Sequence, residues 1–139
     1  MSKALLFLVL ALSLFACDKV KKAEKDITGV WTIYQYKITL VSGLVYYYPA
    51  NGTMDFGSCG GGTCNYALRV NYLKDSLNSQ KYEDGTINIK DDLNFTLDRN
   101  NPDGSITHLD YGRFLLITKD DIKIHFRDAS GLHEFVLQK

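Results

Sequence analysis

Two of the chain's three cysteines stand close together, in Cys59-Gly60-Gly61-Gly62-Thr63-Cys64. A disulfide between them closes a six-residue ring, worth about 2 kcal/mol of chain entropy, and the glycines let the backbone bend that tightly. A metal site needs two further ligands at suitable spacing, and no histidine lies near in sequence. Redox chemistry is poorly served, because the spacing is not Cys-x-x-Cys and no βαβ pattern surrounds it. Nor is the run a phosphate loop, since no Gly-Lys-Ser/Thr and no helix follow. A structural disulfide is the expectation, with no metal and no cofactor. Asp98-Arg99-Asn100-Asn101-Pro102-Asp103-Gly104 has the flavour of a calcium loop. Placing Asp103-Gly104 at positions five and six, however, puts Arg99 at position one, and no bidentate Glu closes the far end. That segment reads as a turn.

The histidines are His108, His125 and His133. With Asp128–Gly131 as a four-residue hairpin loop, Phe126 faces His133 and His125 faces Glu134. His133 then points inward with Ile122, Ile124, Phe126, Phe135 and Leu137. A histidine there is a hydrogen-bonded core residue or a ligand contact at a barrel end. His125 and Glu134 read as a solvent-face pair worth less than about 1 kcal/mol. No Ser-His-Asp or Cys-His arrangement can be assembled from sequence. Nine tyrosines and Trp31 are the most unusual compositional trait. Tyr46-Tyr47-Tyr48 puts phenols on both faces of one strand, and a phenol offers contact area with a polar tip. Tyr46, Tyr48 and His133 are the candidate ligand-binding residues. The plain alternative is that tyrosine simply suits strands.

The elements that position these residues begin with an address. Met1-Ser2-Lys3 is a positive start, and Ala4 to Phe15 is apolar apart from Ser13. This is a secretory signal peptide, with an apolar core of about 12 residues against the roughly 20 a spanning helix needs. Leu14-Phe15-Ala16-Cys17 resembles the lipobox of bacterial lipoproteins. The resemblance implies cleavage after residue 16 and a Cys17 bearing a diacylglyceryl thioether plus an N-acyl chain such as palmitate. Two or more acyl chains hold a protein stably on a bilayer. With Cys17 acylated, Cys59 and Cys64 remain as a pair in an oxidising compartment. Residues 17–28 read as the lipidated Cys and a charged tether, whose lysines could brush anionic headgroups but which serves first as a spacer. The protein is expected to be exported and membrane-anchored, on a periplasmic face or at the cell surface.

Residues 29–139 read as one all-β domain. Without residues 1–16, 15 Lys+Arg face 16 Asp+Glu, since Lys3 is the one charge lost. Such a balance carries no electrostatic footprint for nucleic acid. Strands are expected over 30–41, 44–48, 53–56, 66–72, 86–90, 93–98, 106–110, 113–118, 122–127 and 132–137. Turns fall at Pro49-Ala50-Asn51-Gly52 and around Pro102, and 74–85 is polar and loop-like. With no convincing amphipathic helix, about eight to ten short strands make an up-and-down antiparallel meander, closed as a barrel or folded as a β-sandwich.

Gly29-Val30-Trp31 is similar to the Gly-x-Trp that opens lipocalins, and Leu109-Asp110-Tyr111-Gly112-Arg113-Phe114 to their Thr-Asp-Tyr-x-x-Tyr stretch. Arg127, 17 residues beyond Asp110, stands where lipocalins place an Arg over the Trp ring. The chain departs from the pattern at Leu109 and Phe114 and in lacking the helix after the Arg. It most resembles the short lipocalin-like domains of bacterial lipoproteins. The resemblance implies a barrel closed at one end by Trp31 and Arg127 through a cation–π contact. It also implies an apolar pocket for a small apolar or amphipathic ligand. The expected role is binding rather than catalysis. The alternative is a cell-envelope interaction or assembly module with a filled barrel, no small ligand and an exposed aromatic face.

Overall fold

The computed structural model describes residues 19–91 and 93–139. The leader and Cys17 lie outside the described residues. Alternating side chains form nine strands: β1 (Gly29–Leu40), β2 (Val45–Tyr48), β3 (Ala50–Gly60), β4 (Thr63–Lys74), β5 (Leu77–Ile89), β6 (Asn94–Asn100), β7 (Ile106–Ile117), β8 (Asp121–Asp128) and β9 (Gly131–Gln138). From β3 to β9 each strand pairs antiparallel with the next, and β1 pairs with both β3 and β9. The result is a closed eight-stranded up-and-down barrel, not a sandwich. β2 is an extra strand beside the second half of β1, with Tyr36 opposite Tyr48. Closure removes the barrel's open edges.

Two irregularities in β1 and its partners set what faces inward. The β1–β9 register slips by one residue between Ile33 and Gln35, a bulge that leaves Tyr34 exposed. Trp31 and Ile33 are buried before it and Tyr36 and Ile38 after it. Strict alternation would have turned Gln35 inward instead. Pro49 lacks the N–H that a continuous ladder needs, and β2 is separated from β3 there.

Several expectations are corrected. Asn51-Gly52 lies inside β3 rather than in a turn. Gly52 adopts φ 139° where the Arg69 carbonyl passes 2.0 Å from where a Cβ would stand, so this glycine serves close strand approach. Residues 74–85 are not a loop. Asp75 and Ser76 both have positive φ, 51° and 65°, which makes a two-residue turn of the kind that matches strand twist. β4 and β5 run straight into it, register-paired from Lys74–Leu77 downward. The polar residues there belong to strands partly exposed on both faces. The segments 106–110 and 113–118 are one strand, β7, which runs through Gly112. A Cβ on Gly112 would fall 2.0 Å from a ring carbon of Phe95, so the position is glycine because the Phe95 ring occupies the space.

A helix is also present. Residues 19–27 form α1, in the stretch expected to be a tether. Val20, Ala23 and Ile27 recur at helical spacing on one face, and Ala23 and Ile27 join the barrel core. Trp31 fixes the junction by donating its indole N–H to the Ile27 carbonyl at 2.6 Å. Burying Ile27 alone stabilises by about 1.5–3 kcal/mol. Among the described residues no helix is long and apolar enough to cross a membrane.

Strand direction gives the barrel two unlike ends. α1 and the β3–β4, β5–β6 and β7–β8 turns gather at one, the closed end. The β1–β2, β4–β5, β6–β7 and β8–β9 turns gather at the other. Between them the interior is filled by Trp31, Phe56, Phe95, Phe114, Phe126 and Phe135, all buried.

Candidate functional site

The end away from α1 is open. Inward side chains of β1, β2, β4, β5 and β9 converge there around a hollow of about 320 Å³. Tyr36, Tyr46, Tyr48, Tyr72, Lys81 and His133 are among its lining. The volume lies at the lower end of the 300–1,000 Å³ range of small-molecule sites.

The rings form a continuous surface. Tyr36, Tyr48 and Tyr72 lie with centroids 5.1–5.6 Å apart, tilted or edge-on to one another. Tyr46 and Tyr48, two residues apart on one strand, present parallel rings 6.1 Å apart at 3°. Tyr36 stacks on Phe135 at 4.7 Å, and His133 stacks on Phe126 at 5.3 Å. The hollow therefore has an aromatic wall and an aromatic floor. Tyr47 points outward, with the Lys37 amine 5.8 Å from its ring centre. The Tyr46–Tyr48 run thus divides between faces as alternation requires.

A polar chain runs beneath the rings. His133 Nδ1 and the Tyr36 hydroxyl are 2.8 Å apart. His133 Nε2 meets Asp128 Oδ1 at 3.0 Å and Ser130 Oγ at 3.0 Å. Nε2–H donation to the carboxylate leaves Nδ1 to accept from Tyr36. Asp128 also accepts the Ser130 N–H and hydroxyl, at 2.8 and 2.6 Å, and Arg99 Nη2 at 3.1 Å. Arg99 Nε forms an ion pair with Glu83, whose other oxygen stands 3.0 Å from the Lys81 amine in a second ion pair. Lys81 reaches across the interior to lie 6.0 Å from the centre of the Phe126 ring.

The electrostatics follow from that chain. Burial raises the Tyr36 hydroxyl's pKa well above the phenol range, so it stays protonated. Burial would also raise Asp128, but hydrogen bonds from His133 and Ser130 outweigh it and hold the carboxyl far below its usual range. Lys81 and Arg99 alternate with Glu83 and Asp128, so the four charges compensate. The hollow offers ring faces and hydrogen bonds rather than net charge.

Ser130 and Asp128 meet the same nitrogen of His133, whereas a nucleophile relay needs them on opposite nitrogens. The Ser130 hydroxyl is directed to Asp128. Among the described residues no group of three or more His, Cys, Asp or Glu is placed to hold a metal ion.

The expected site residues fall into three places. Tyr46, Tyr48 and His133 come together in the open mouth. His133 is both a hydrogen-bonded core residue and a lining group, and it sits opposite Phe126 in register. Cys59 and Cys64 are joined by a disulfide, across the β3–β4 hairpin at the closed end. Trp31 is buried at that end, and the cation over it is Lys139, with Nζ 4.8 Å from the ring centre. Arg127 is exposed and paired with Leu132 near the opposite end. The Arg–Trp closure that the lipocalin resemblance implies is therefore absent between these two residues. His125 faces Glu134 in register but takes the Tyr111 hydroxyl at 3.0 Å, while Glu134 pairs with Lys37.

Sequence reasoning missed Tyr36, Tyr72, Lys81, Glu83, Arg99 and Asp128 as a set. Tyr72 stood in an evident period-two strand. Lys81 and Glu83 lay in the stretch read as loop, so no inward direction could be assigned to them. Tyr36 needed the bulge at Tyr34.

No family model matches the chain, and no curated protein matches it. Solved structures share its fold, and three of them are as follows. One is described as a de novo designed fluorescence-activating β-barrel, 12% identical with a TM-score of 0.52, covering 84% of this chain and 96% of that one. A redesigned β-barrel is 17% identical with a TM-score of 0.53, covering 84% and 94%. EF1p2_mFAP2b bound to DFHBI is 14% identical with a TM-score of 0.52, covering 83% and 94%. At these identities the likeness is one of fold, and the chain is similar to them as a closed, up-and-down β-barrel.

Proposed function

We propose that this protein is an exported, lipid-anchored, lipocalin-like barrel that binds a small amphipathic ligand in its open mouth. The observation that carries the reading is the hollow of about 320 Å³ walled by Tyr36, Tyr46, Tyr48 and Tyr72 over His133. A filled core lies below it and α1 covers the far end. Flat apolar groups suit the parallel Tyr46 and Tyr48 faces. An uncharged polar end suits the phenols, Ser130 and His133, since the charges beneath are already compensated. One structure of the same fold is bound to DFHBI, which is consistent with ligand binding by a barrel of this kind. The role is binding rather than catalysis, with no cofactor and no nucleic-acid partner.

The test is native mass spectrometry of the protein purified from cells. A reproducible small-molecule adduct supports the reading. A bare mass together with co-purifying envelope protein supports the interaction-module alternative, which draws on Val41, Leu44 and Tyr47 exposed at the same rim. The anchor rests on Leu14-Phe15-Ala16-Cys17. Cys17→Ser is expected to leave an unprocessed precursor that takes up no labelled palmitate; normal processing of that variant contradicts the anchor.

A further inference from the structure

The closed end carries a second feature, which the ligand hollow does not use. Between α1, the β7–β8 turn and the end of β9 runs a groove of about 340 Å³. Four lysines line it, Lys22, Lys25, Lys119 and Lys139, against one acid, Asp26. All four lysines are exposed. Among the described residues Lys22, Lys25 and Lys119 make no ion pair, and Lys139 lies over Trp31. The groove continues along α1 into a hollow of about 360 Å³ that shares Lys22, Asp26 and Ile117 and adds Ala23 and Leu93. An apolar floor with a cationic rim is thus built where the helix packs on the barrel.

These lysines come from three separate parts of the chain. Lys22 and Lys25 are one helical turn apart on α1, Lys119 sits in the β7–β8 turn, and Lys139 follows β9. Only the docking of α1 on the barrel brings them together. The first described residue of α1, Lys19, stands two residues after Cys17 in the sequence. That is about 7 Å of extended chain at most, so an acylated Cys17 cannot stand far from this end of the barrel.

We propose that the closed end is a membrane-docking face. The groove between α1 and the β7–β8 turn receives the phosphate of an anionic phospholipid headgroup, and the open mouth is held facing away from the bilayer. The proposal rests on the Cys17 anchor, and is independent of what the mouth binds. Charge complementarity supplies the occupant. Each lysine near an anionic bilayer surface contributes about 1 kcal/mol, a factor of about five in occupancy.

The experiment uses the full lipidated chain, reconstituted in phosphatidylcholine vesicles with or without phosphatidylglycerol. Lysine acetylation rates are read by peptide mass spectrometry. The expected result is flotation with both vesicle types, and acetylation of Lys22, Lys25 and Lys119 slowed about five-fold only on the anionic vesicles. Lys74, at the mouth, is unchanged. In the triple variant Lys22→Gln, Lys25→Gln, Lys119→Gln, the lipid-dependent protection of Lys139 is lost. Equal rates on the two vesicle types, or protection of Lys74 instead, overturn the docking face. Protection by inorganic phosphate without vesicles also overturns it, in favour of a soluble-anion site. Failure to float with phosphatidylcholine overturns the anchor and this proposal with it, whereas flotation without protection overturns the docking alone.

Discussion

Asp128→Ala tests the polar chain beneath the mouth. The Asp128 carboxylate takes hydrogen bonds from His133 and Arg99, and two from Ser130. Its side chain is 11% exposed and that of Arg99 19%. Removing it leaves Arg99 with Glu83 alone and His133 Nε2 with Ser130. A hydrogen bond to a charged group is worth about 1.5–3 kcal/mol, and breaking a fully buried pair costs about 3–5 kcal/mol. Partial solvent access at the mouth places the loss near the lower bound, at about 3 kcal/mol. With a urea dependence of about 1.5 kcal/mol per molar, the unfolding midpoint falls by about 2 M. Fluorescence of Trp31, the single tryptophan and fully buried at the far end, reports unfolding without touching the mutated site.

The pH dependence has a definite sign. The folded Asp128 carboxyl is held below its unfolded value of 3.8. Its stabilisation is therefore complete well above that value and is lost as pH falls below it. The gap between wild type and Asp128→Ala should be full at neutral pH and narrow below about pH 4. A midpoint shift under about 0.3 M, or a gap that stays constant into acid, refutes the reasoning.

Two further variants probe how the barrel is closed and packed. Ile27→Ala should destabilise by about 2–5 kcal/mol in the same melts, because α1 belongs to the core; a loss under about 0.5 kcal/mol would make it a tether after all. Gly112→Ala should cost about 1–3 kcal/mol through collision with the Phe95 ring, and Phe95→Leu in the same chain should recover part of it; no recovery would put the cost elsewhere.

The fold was legible where one alternation repeats. β4, β6, β8 and β9 each carry an unbroken inward series, such as Tyr66, Leu68 and Val70, and that was enough for an antiparallel meander. Closure was not legible, since it depends on the pairing of β1 with β9, more than ninety positions apart in the register of Ile38 with His133. Asn51-Gly52 misled because the same dipeptide that favours a turn also permits the close strand crossing found beside Arg69. Polar residues 74–85 misled because Asp75-Ser76 makes a two-residue turn without glycine. The charge of 18–26 masked the Val20, Ala23, Ile27 stripe, whose three members are separated by lysines. Tyr46, Tyr48 and His133 were visible as separate strand residues, but their convergence needed the barrel. The ionic partners Lys81, Glu83 and Arg99 had no sequence signature, because buried ion pairs across strands have no fixed spacing.

The central claim is that the tyrosine-lined mouth holds a ligand. Native mass spectrometry of wild type and of the Tyr46→Ala, Tyr48→Ala double variant, both purified from the same cells, tests it most directly. The account predicts a reproducible small-molecule adduct on wild type that is missing from the double variant, with both proteins unfolding cooperatively in urea. A bare wild-type mass, or an adduct that survives loss of both rings, would contradict it.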